Sequence, residues 1–182
     1  GAGGARGARV SRRTGPPRVG LIVGLATVLL YAVLVIWACV TPDFRAPDEP
    51  QKVSTTLRLA YVHSYPAPGD ARIFPAVKAS YHDVGFGGMG LNTIIGLVPL
   101  KPPTRDQLSQ QAWRELGAAG SGALTPYDYD QMTQHPPGYF AVMAVAARIF
   151  NVSDRTPQTG LLILRLCSAL VLLPLPYLTF RI

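Results

Sequence analysis

Two short segments of this chain carry side chains that could take part in chemistry. The first is the acidic pair Asp48-Glu49, and the second contains His135 and Tyr139 in the run His-Pro-Pro-Gly-Tyr. A carboxylate can deprotonate a hydroxyl nucleophile or hold a divalent cation, and a histidine with nearby backbone amides can bind a phosphate. Both segments adjoin apolar stretches. Because ionisable groups are costly to keep at a membrane boundary, their location favours a functional role.

Each segment also has a purely structural explanation. Residues 48–50, Asp-Glu-Pro, form an ordinary helix opening, because negative charge is favoured at the amino-terminal end of the helix dipole. Residues 135–137, His-Pro-Pro, could likewise mark only a helix start, since proline fits the first turn. The residue types leave both explanations open.

The first element that must position these groups is the apolar stretch over residues 19–40. It runs 22 residues without a charged side chain. At about 1.5 Å per residue it covers the roughly 30 Å hydrocarbon core of a bilayer. A cleaved signal peptide is the competing interpretation, but its apolar core is usually shorter, about 7–15 residues. The stretch therefore predicts a transmembrane helix.

The charge distribution predicts the orientation of this helix. The chain has 17 Lys and Arg against 10 Asp and Glu, a net charge of +7. Arginines crowd residues 1–18, a Gly/Ala/Arg-rich tail predicted to be disordered, so the positive-inside rule places this tail in the cytoplasm. The net positive charge is then explained by the orientation of the helix in the membrane, and no nucleic-acid partner is expected.

Residues 41–137 are predicted to form a long extracytoplasmic loop. About a hundred residues are too many for a plain connection, so this loop should contain amphipathic helices, one over 50–63 and another over 104–116. Near its end, aromatic faces and a carboxylate suit sugar rings and hydroxyls, although a solvated loop explains them nearly as well. These candidate sugar-binding residues are Tyr127, Asp128 and Tyr129.

Two more apolar stretches complete the predicted topology. Residues 138–152 predict a second transmembrane helix, near the lower length limit for crossing a bilayer. A cytoplasmic turn over 153–159 and a third helix over 160–182 follow.

Arginines near the predicted turn agree with its cytoplasmic side. They are Arg148, Arg155 and Arg165, the last interpreted as an anchor at the inner surface. Asn151 opens the glycosylation sequon Asn-Val-Ser, which on the cytoplasmic side would not meet the transferase.

In their order and spacing, these motifs resemble the amino-terminal module of the GT-C superfamily of integral membrane glycosyltransferases. The resemblance is to the protein mannosyltransferase and aminoarabinose transferase branch and to related actinobacterial membrane proteins. It covers residues 19–182 and is carried by Asp48-Glu49, His-Pro-Pro-Gly-Tyr at 135–139 and Arg-Leu-Cys-Ser-Ala-Leu at 165–170. Gly138 departs from the family, which usually has a bulkier apolar residue there.

The resemblance implies an all-α, polytopic membrane protein with a long, partly helical extracytoplasmic loop after the first span. It also implies inverting transfer of a sugar from a polyprenyl-phosphate donor to a glycan or protein acceptor, in cell-envelope synthesis at the plasma membrane. Asp48 would be the catalytic carboxylate, activating the acceptor or coordinating a divalent cation, with Glu49 supporting it. His135 and Tyr139 would lie near the donor phosphate.

Other functions stay open at the level of sequence. A membrane assembly or scaffold subunit would bind a partner through its outer loop and would tolerate a near-isosteric change at Asp48. A transporter would require polar residues at mid-membrane depth, which the predicted spans lack. Since GT-C enzymes have many more spans, the chain is expected to be a fragment, inactive on its own.

Overall fold

The computed structural model describes residues 17–46, 48–83, 110–115 and 129–181. This part of the chain is mostly helical, with an isolated antiparallel β-bridge between Arg72 and Tyr129. The mostly helical fold expected from the sequence is therefore confirmed. Residues 1–16 of the predicted tail and most of the amphipathic helix predicted over 104–116 lie outside the described residues, whereas Pro17 and Arg18 belong to the first helix.

The helices follow one another with short connections. Their bounds are α1 Pro17–Val40, α2 Glu49–Leu57, α3 Pro75–Asp83, α4 Gly138–Ile149, α5 Pro157–Val171 and α6 Leu175–Arg181. A π-helical turn, Arg58–Val62, continues α2, and 3-10 turns occupy Gln131–Gln134 and Val152–Asp154.

Two of the described segments are long and apolar enough to cross a membrane. They are Val19–Val40 in α1 and Pro157–Phe180, which joins α5 and α6. An α-helix satisfies its backbone hydrogen bonds internally, so an apolar helix can enter lipid without leaving polar groups unpaired. The two segments support the predicted association with a membrane. Segments α5 and α6 pack along α1 and run antiparallel to it.

The remaining elements form a small packed unit at the carboxyl-terminal end of α1. We call this unit the head, and it comprises residues 49–83, 110–115 and 129–149, which contain α2, the π-helical turn, α3 and α4. Its buried side chains include Leu57, Val77 and Trp113, each at most 1% exposed. Trp113 is fixed by a hydrogen bond from its Nε1 to Ser80 Oγ, at 2.6 Å. The described apolar core thus lies mainly in and around the head, with α1 largely exposed.

Helix α4 occupies most of the stretch predicted to be the second transmembrane helix. It has only 12 residues, or about 18 Å of helix. It packs against α2, the π-helical turn and α5. A second span of 15 continuous helical residues over 138–152 is therefore not observed, because the helix ends at Ile149 and the chain turns.

The predicted cytoplasmic turn touches the predicted extracytoplasmic loop. The backbone N–H of Ser153 donates to the Tyr61 hydroxyl at 3.2 Å, and the Trp113 N–H donates to the Arg155 carbonyl at 3.1 Å. Arg114 also lies 3.2 Å from Asp154. Groups in direct contact cannot lie on opposite sides of a bilayer, so these two predicted locations are incompatible.

Candidate functional site

Arg165 of α5 binds the carboxyl-terminal end of α1. Its Nη1 donates to the carbonyls of Ala38 and Thr41 at 3.1 and 2.6 Å, and its Nη2 donates to Pro42 O at 3.0 Å. The last carbonyls of a helix lack intrahelical partners, and a cation there also offsets the negative end of the helix dipole. Arg165 therefore lies where α1 ends, and the sequence-based interpretation as an inner-surface anchor is wrong if α1 begins in the cytoplasm.

Glu49 completes this arrangement. Arg165 Nε and Nη2 donate to Glu49 Oε1 and Oε2 at 2.6 and 2.8 Å, a two-pronged charge-assisted pair. Glu49 is 6% exposed, so the pair is largely shielded from water. Because Arg165 engages both carboxylate oxygens, Glu49 holds α2 against α1 and α5 and is poorly placed to accept a proton.

Asp43 is a second carboxylate beside this pair. Its Oδ1 lies 4.0 Å from Arg165 Nη1. Burial raises the pKa of Asp43, while the charge of Arg165 opposes that rise and the charge of Glu49 adds to it. Asp43 was not among the residues predicted for the site. Its position just after the first apolar stretch could have indicated a carboxylate at the same membrane boundary as Glu49.

Asp48 differs sharply from its neighbour. It is exposed, and its backbone has the left-handed conformation, φ 56° and ψ 16°. Aspartate tolerates this conformation better than most residues. The Asp48 carbonyl accepts a hydrogen bond from Lys52 N at 2.9 Å, but the side chain makes no capping hydrogen bond. The side-chain hydrogen bond expected if Asp48 served only as a helix cap is therefore not observed.

A cleft of about 200 Å³ lies beside the Glu49–Arg165 pair. Both apolar and polar side chains line it. The Tyr139 hydroxyl lies 3.0 Å from Ser168 Oγ at this cleft. The apolar lining includes Leu34, Trp37, Leu164 and Leu172, and the polar lining includes Glu49, Lys52, Tyr139, Arg165 and Ser168. A molecule with an apolar chain and a polar head would match both kinds of lining.

His135 lies apart from the residues that line this cleft. It is exposed, and its carbonyl accepts a hydrogen bond from the Tyr65 hydroxyl at 2.6 Å. Its N–H donates to Met132 O at 3.1 Å. Of the four residues predicted for catalysis and donor phosphate, Glu49 and Tyr139 line the cleft, and Asp48 and His135 do not.

Among the predicted sugar-binding residues, Tyr129 is described. The Arg72 guanidinium carbon lies 3.5 Å from the centre of the Tyr129 ring, a cation–π contact that covers one face of the ring. Tyr127 and Asp128 lie outside the described residues.

Asp130, next along the chain, forms a buried polar link within the head. It is 2% exposed, and its carboxylate accepts hydrogen bonds from Thr55 Oγ1 at 2.9 Å and Met132 N at 3.1 Å. Burial raises the pKa of Asp130, opposed by hydrogen bonds from Ser54, Thr55 and Met132 and by the charge of Arg58. This link ties α2 to the segment that leads into His135.

The described residues do not supply a ligand set for a divalent cation. No group of three or more His, Cys, Asp or Glu side chains suited to a metal occurs among them. Near Asp48, the carboxylate of Glu49 is already engaged by Arg165. We therefore derive no step through a cation.

Comparison with known proteins gives no relative. No protein-family model, curated protein or solved structure matches this chain.

Proposed function

We propose that this chain is part of a membrane glycosyltransferase that moves a sugar from a polyprenyl-phosphate donor to an extracytoplasmic acceptor. The observation that carries the proposal is the cleft at the end of α1, where an apolar lining meets polar groups. This combination suits a lipid-linked donor, because the polyprenyl chain requires apolar contacts and the phosphate requires hydrogen-bond donors.

The polar side chains of the cleft offer donors for the phosphate. Lys52 carries a positive charge. The Tyr139 and Ser168 hydroxyls bond to each other, and the one that accepts in this pair can donate its own proton to the phosphate. Arg165 contributes charge to the same region, but its N–H groups are already engaged by Glu49 and the end of α1. Its role in this proposal is to hold the cleft together.

Asp48 is the proposed general base. It lies outside the cleft lining, but it is exposed and directly precedes Glu49, which lines the cleft and is fixed by Arg165. Asp48 would take the proton of an acceptor hydroxyl as the acceptor oxygen bonds to the anomeric carbon. The bond from that carbon to the phosphate oxygen breaks, and polyprenyl phosphate leaves. Direct displacement inverts the anomeric centre.

This chemistry requires the cleft to open at the outer face of the plasma membrane. Arginines before α1 favour a cytoplasmic amino terminus, which puts the end of α1 and the head outside the cell. The acceptor, a glycan or a protein, would then reach Asp48 from the extracytoplasmic side.

Replacement of Asp48 tests the proposal. In membranes that contain the chain within its complete reading frame, we expect Asp48→Asn to lower sugar transfer by at least about 100-fold, the usual contribution of a general base. Transfer is measured from radiolabelled polyprenyl-phosphate mannose and polyprenyl-phosphate aminoarabinose. Abundance in the membrane should not change, because Asp48 is exposed and its side chain makes no capping hydrogen bond.

Asp70→Asn is the matched control, since Asp70 is another exposed carboxylate in the head. It should leave transfer within about twofold of the wild type. Equal transfer by Asp48→Asn and wild type, or no transfer by the wild type from either donor, would contradict the proposal. Equal transfer would overturn the assignment of Asp48 as the base, whereas no transfer by the wild type would favour a scaffold subunit.

A further inference from the structure

Helix α4 has two apolar faces, and only one of them is covered by the described chain. The covered face packs into the head and includes Phe140, Met143, Ala144 and Ala147. On the other side, Val142, Val145 and Ile149 are 53%, 58% and 68% exposed. We call these three residues the α4 stripe. Exposed apolar side chains at this spacing form a continuous surface along a helix.

Along the direction of α1, the start of α4 lies close to the level at which α1 ends. The Tyr139 hydroxyl is 3.0 Å from Ser168 Oγ, and Ser168 is within one helical turn of Arg165. Arg165 in turn donates to Thr41 O just after α1. If α1 crosses the bilayer, the first turn of α4 lies at the outer membrane boundary.

The other end of α4 is held against the head. Arg148 Nε donates to Ala60 O at 2.6 Å, and the Tyr61 hydroxyl donates to Ala147 O at 2.9 Å. Helix α5 then begins at Pro157, about 12 Å of helix before Arg165. Helix α4 therefore rises from the boundary beside the first part of α5 and does not descend along α1.

We infer that α4 stays on the outer side of the membrane and that the first part of the α4 stripe, Val142 and Val145, contacts lipid at the outer headgroup boundary. The headgroup layer extends roughly 5–8 Å beyond the hydrocarbon core, which is enough to reach these two residues on a helix that rises from the boundary. The inference rests on anchoring by α1 and α5, and it does not depend on the proposed sugar transfer.

Three observations favour lipid as the occupant of the stripe. The first turn of α4 lies at the same membrane depth as the carboxyl-terminal end of α1, as shown by the Tyr139–Ser168 contact. The one charged residue in the sequence of α4 is Arg148, whose guanidinium is engaged with Ala60 O and with His63 Nε2 at 2.6 Å. Helix α4 also packs against α5, which belongs to a membrane-length segment.

The depth of a fluorophore on α4 tests this inference. Both native cysteines, Cys39 and Cys167, are replaced by serine, and Val145→Cys is labelled with the dye NBD. The full chain is then reconstituted in phosphatidylcholine and phosphatidylglycerol vesicles. Quenching is compared between lipids that carry a nitroxide on the headgroup and lipids that carry it at carbon 12 of the acyl chain.

We expect the headgroup nitroxide to quench the Val145 label at least about twofold more than the acyl-chain nitroxide, as for a shallow interfacial site. Two matched positions calibrate the result. Leu29→Cys in the middle of α1 should show the opposite order, and Ala67→Cys in an exposed loop of the head should show little quenching by either lipid.

Three outcomes would overturn the inference. Stronger quenching of Val145 by the acyl-chain nitroxide would mean that α4 crosses the bilayer, since residue 145 is the centre of the span predicted over 138–152. Quenching no greater than that of the Ala67 label would mean that lipid does not cover the stripe. Protection from quenching that grows with the protein-to-lipid ratio would identify a second copy of the chain as the occupant. Val142→Cys repeats the measurement at a second exposed position.

Discussion

At the scale of single residues, the guanidinium of Arg165 joins three parts of the chain. It binds the end of α1 through backbone carbonyls, binds α2 through Glu49, and belongs to α5. Glu49 is largely buried, so its charge depends on Arg165 for compensation. The pair therefore sets the geometry around Asp48 without supplying the proposed base.

Arg165→Ala should destabilise the chain by about 3–5 kcal/mol, because it leaves the buried Glu49 carboxylate without its partner. The measurement is the thermal or denaturant unfolding of the full chain in detergent micelles. The double variant Glu49→Leu/Arg165→Leu should recover part of this loss, since no uncompensated charge is then buried.

These variants separate the contribution of the Glu49–Arg165 pair from that of the hydrogen bonds between Arg165 and the α1 carbonyls. If the double variant is as unstable as Arg165→Ala, the bonds from Arg165 to the α1 carbonyls matter more than the pair with Glu49. If Arg165→Ala unfolds like the wild type, the buried pair contributes nothing measurable and the structural role assigned to it is wrong.

At the scale of elements, the joint between α5 and the head depends on a close approach at Gly160. A Cβ at this position would lie 2.6 Å from Trp113 Cζ3 and 3.0 Å from Val152 Cγ1. Trp113 is 1% exposed and its indole is held by Ser80, so the ring has little freedom to move away. Close packing against Trp113 and Val152 therefore requires glycine at position 160, although the backbone there has an ordinary helical conformation.

Gly160→Ala should lower the stability of the head by about 1–3 kcal/mol, the usual cost of overpacking a core. Tryptophan fluorescence during unfolding in detergent measures the change, with Trp37 replaced by phenylalanine so that Trp113 is the reporter. Gly138→Ala is the matched control, because nothing lies within 4 Å of a Cβ built at Gly138. Equal stability of the two variants would contradict the tight joint.

At the scale of the whole molecule, the contacts between the turn after α4 and the head predict which side of the membrane this turn occupies. We therefore expect residues 150–156 on the same side as α2. If the amino terminus is cytoplasmic, the Asn151 sequon is then extracytoplasmic, opposite to the side predicted from the sequence. Asn151 is exposed, and its backbone is left-handed with φ 48°. Translation of the protein in the presence of endoplasmic reticulum microsomes shows on which side of the membrane Asn151 lies. The microsomal enzyme that glycosylates this sequon acts only in the lumen.

We expect Asn151 to be glycosylated in this assay, and Ser153→Ala to remove the modification by destroying the sequon. Gln131→Asn supplies a reference, because it creates the sequon Asn-Met-Thr at an exposed position of the head. Modification at residue 131 without modification at Asn151 would show that α4 crosses the membrane.

The amino-acid sequence was sufficient for the helices whose signals are local. The apolar length of α1 and of the α5–α6 segment could be predicted because each is a continuous run of suitable residues. The periodic apolar positions likewise predicted a helix over 50–63, close to the observed α2 and π-helical turn, Glu49–Val62. The acidic pair was recognised as a candidate site from its position beside α1.

The path of α4 and the separate roles of Asp48 and Glu49 required the tertiary structure. Glu49 meets Arg165 across 116 residues of chain, and Thr55 meets Asp130 across 75, and no local pattern encodes such partners. A 12-residue apolar helix has the same composition whether it enters lipid or packs on a protein core. Hydrogen bonds from Tyr61 to Ala147 and from Ser153 to Tyr61 show that one face of α4 packs on the head, which composition alone did not indicate.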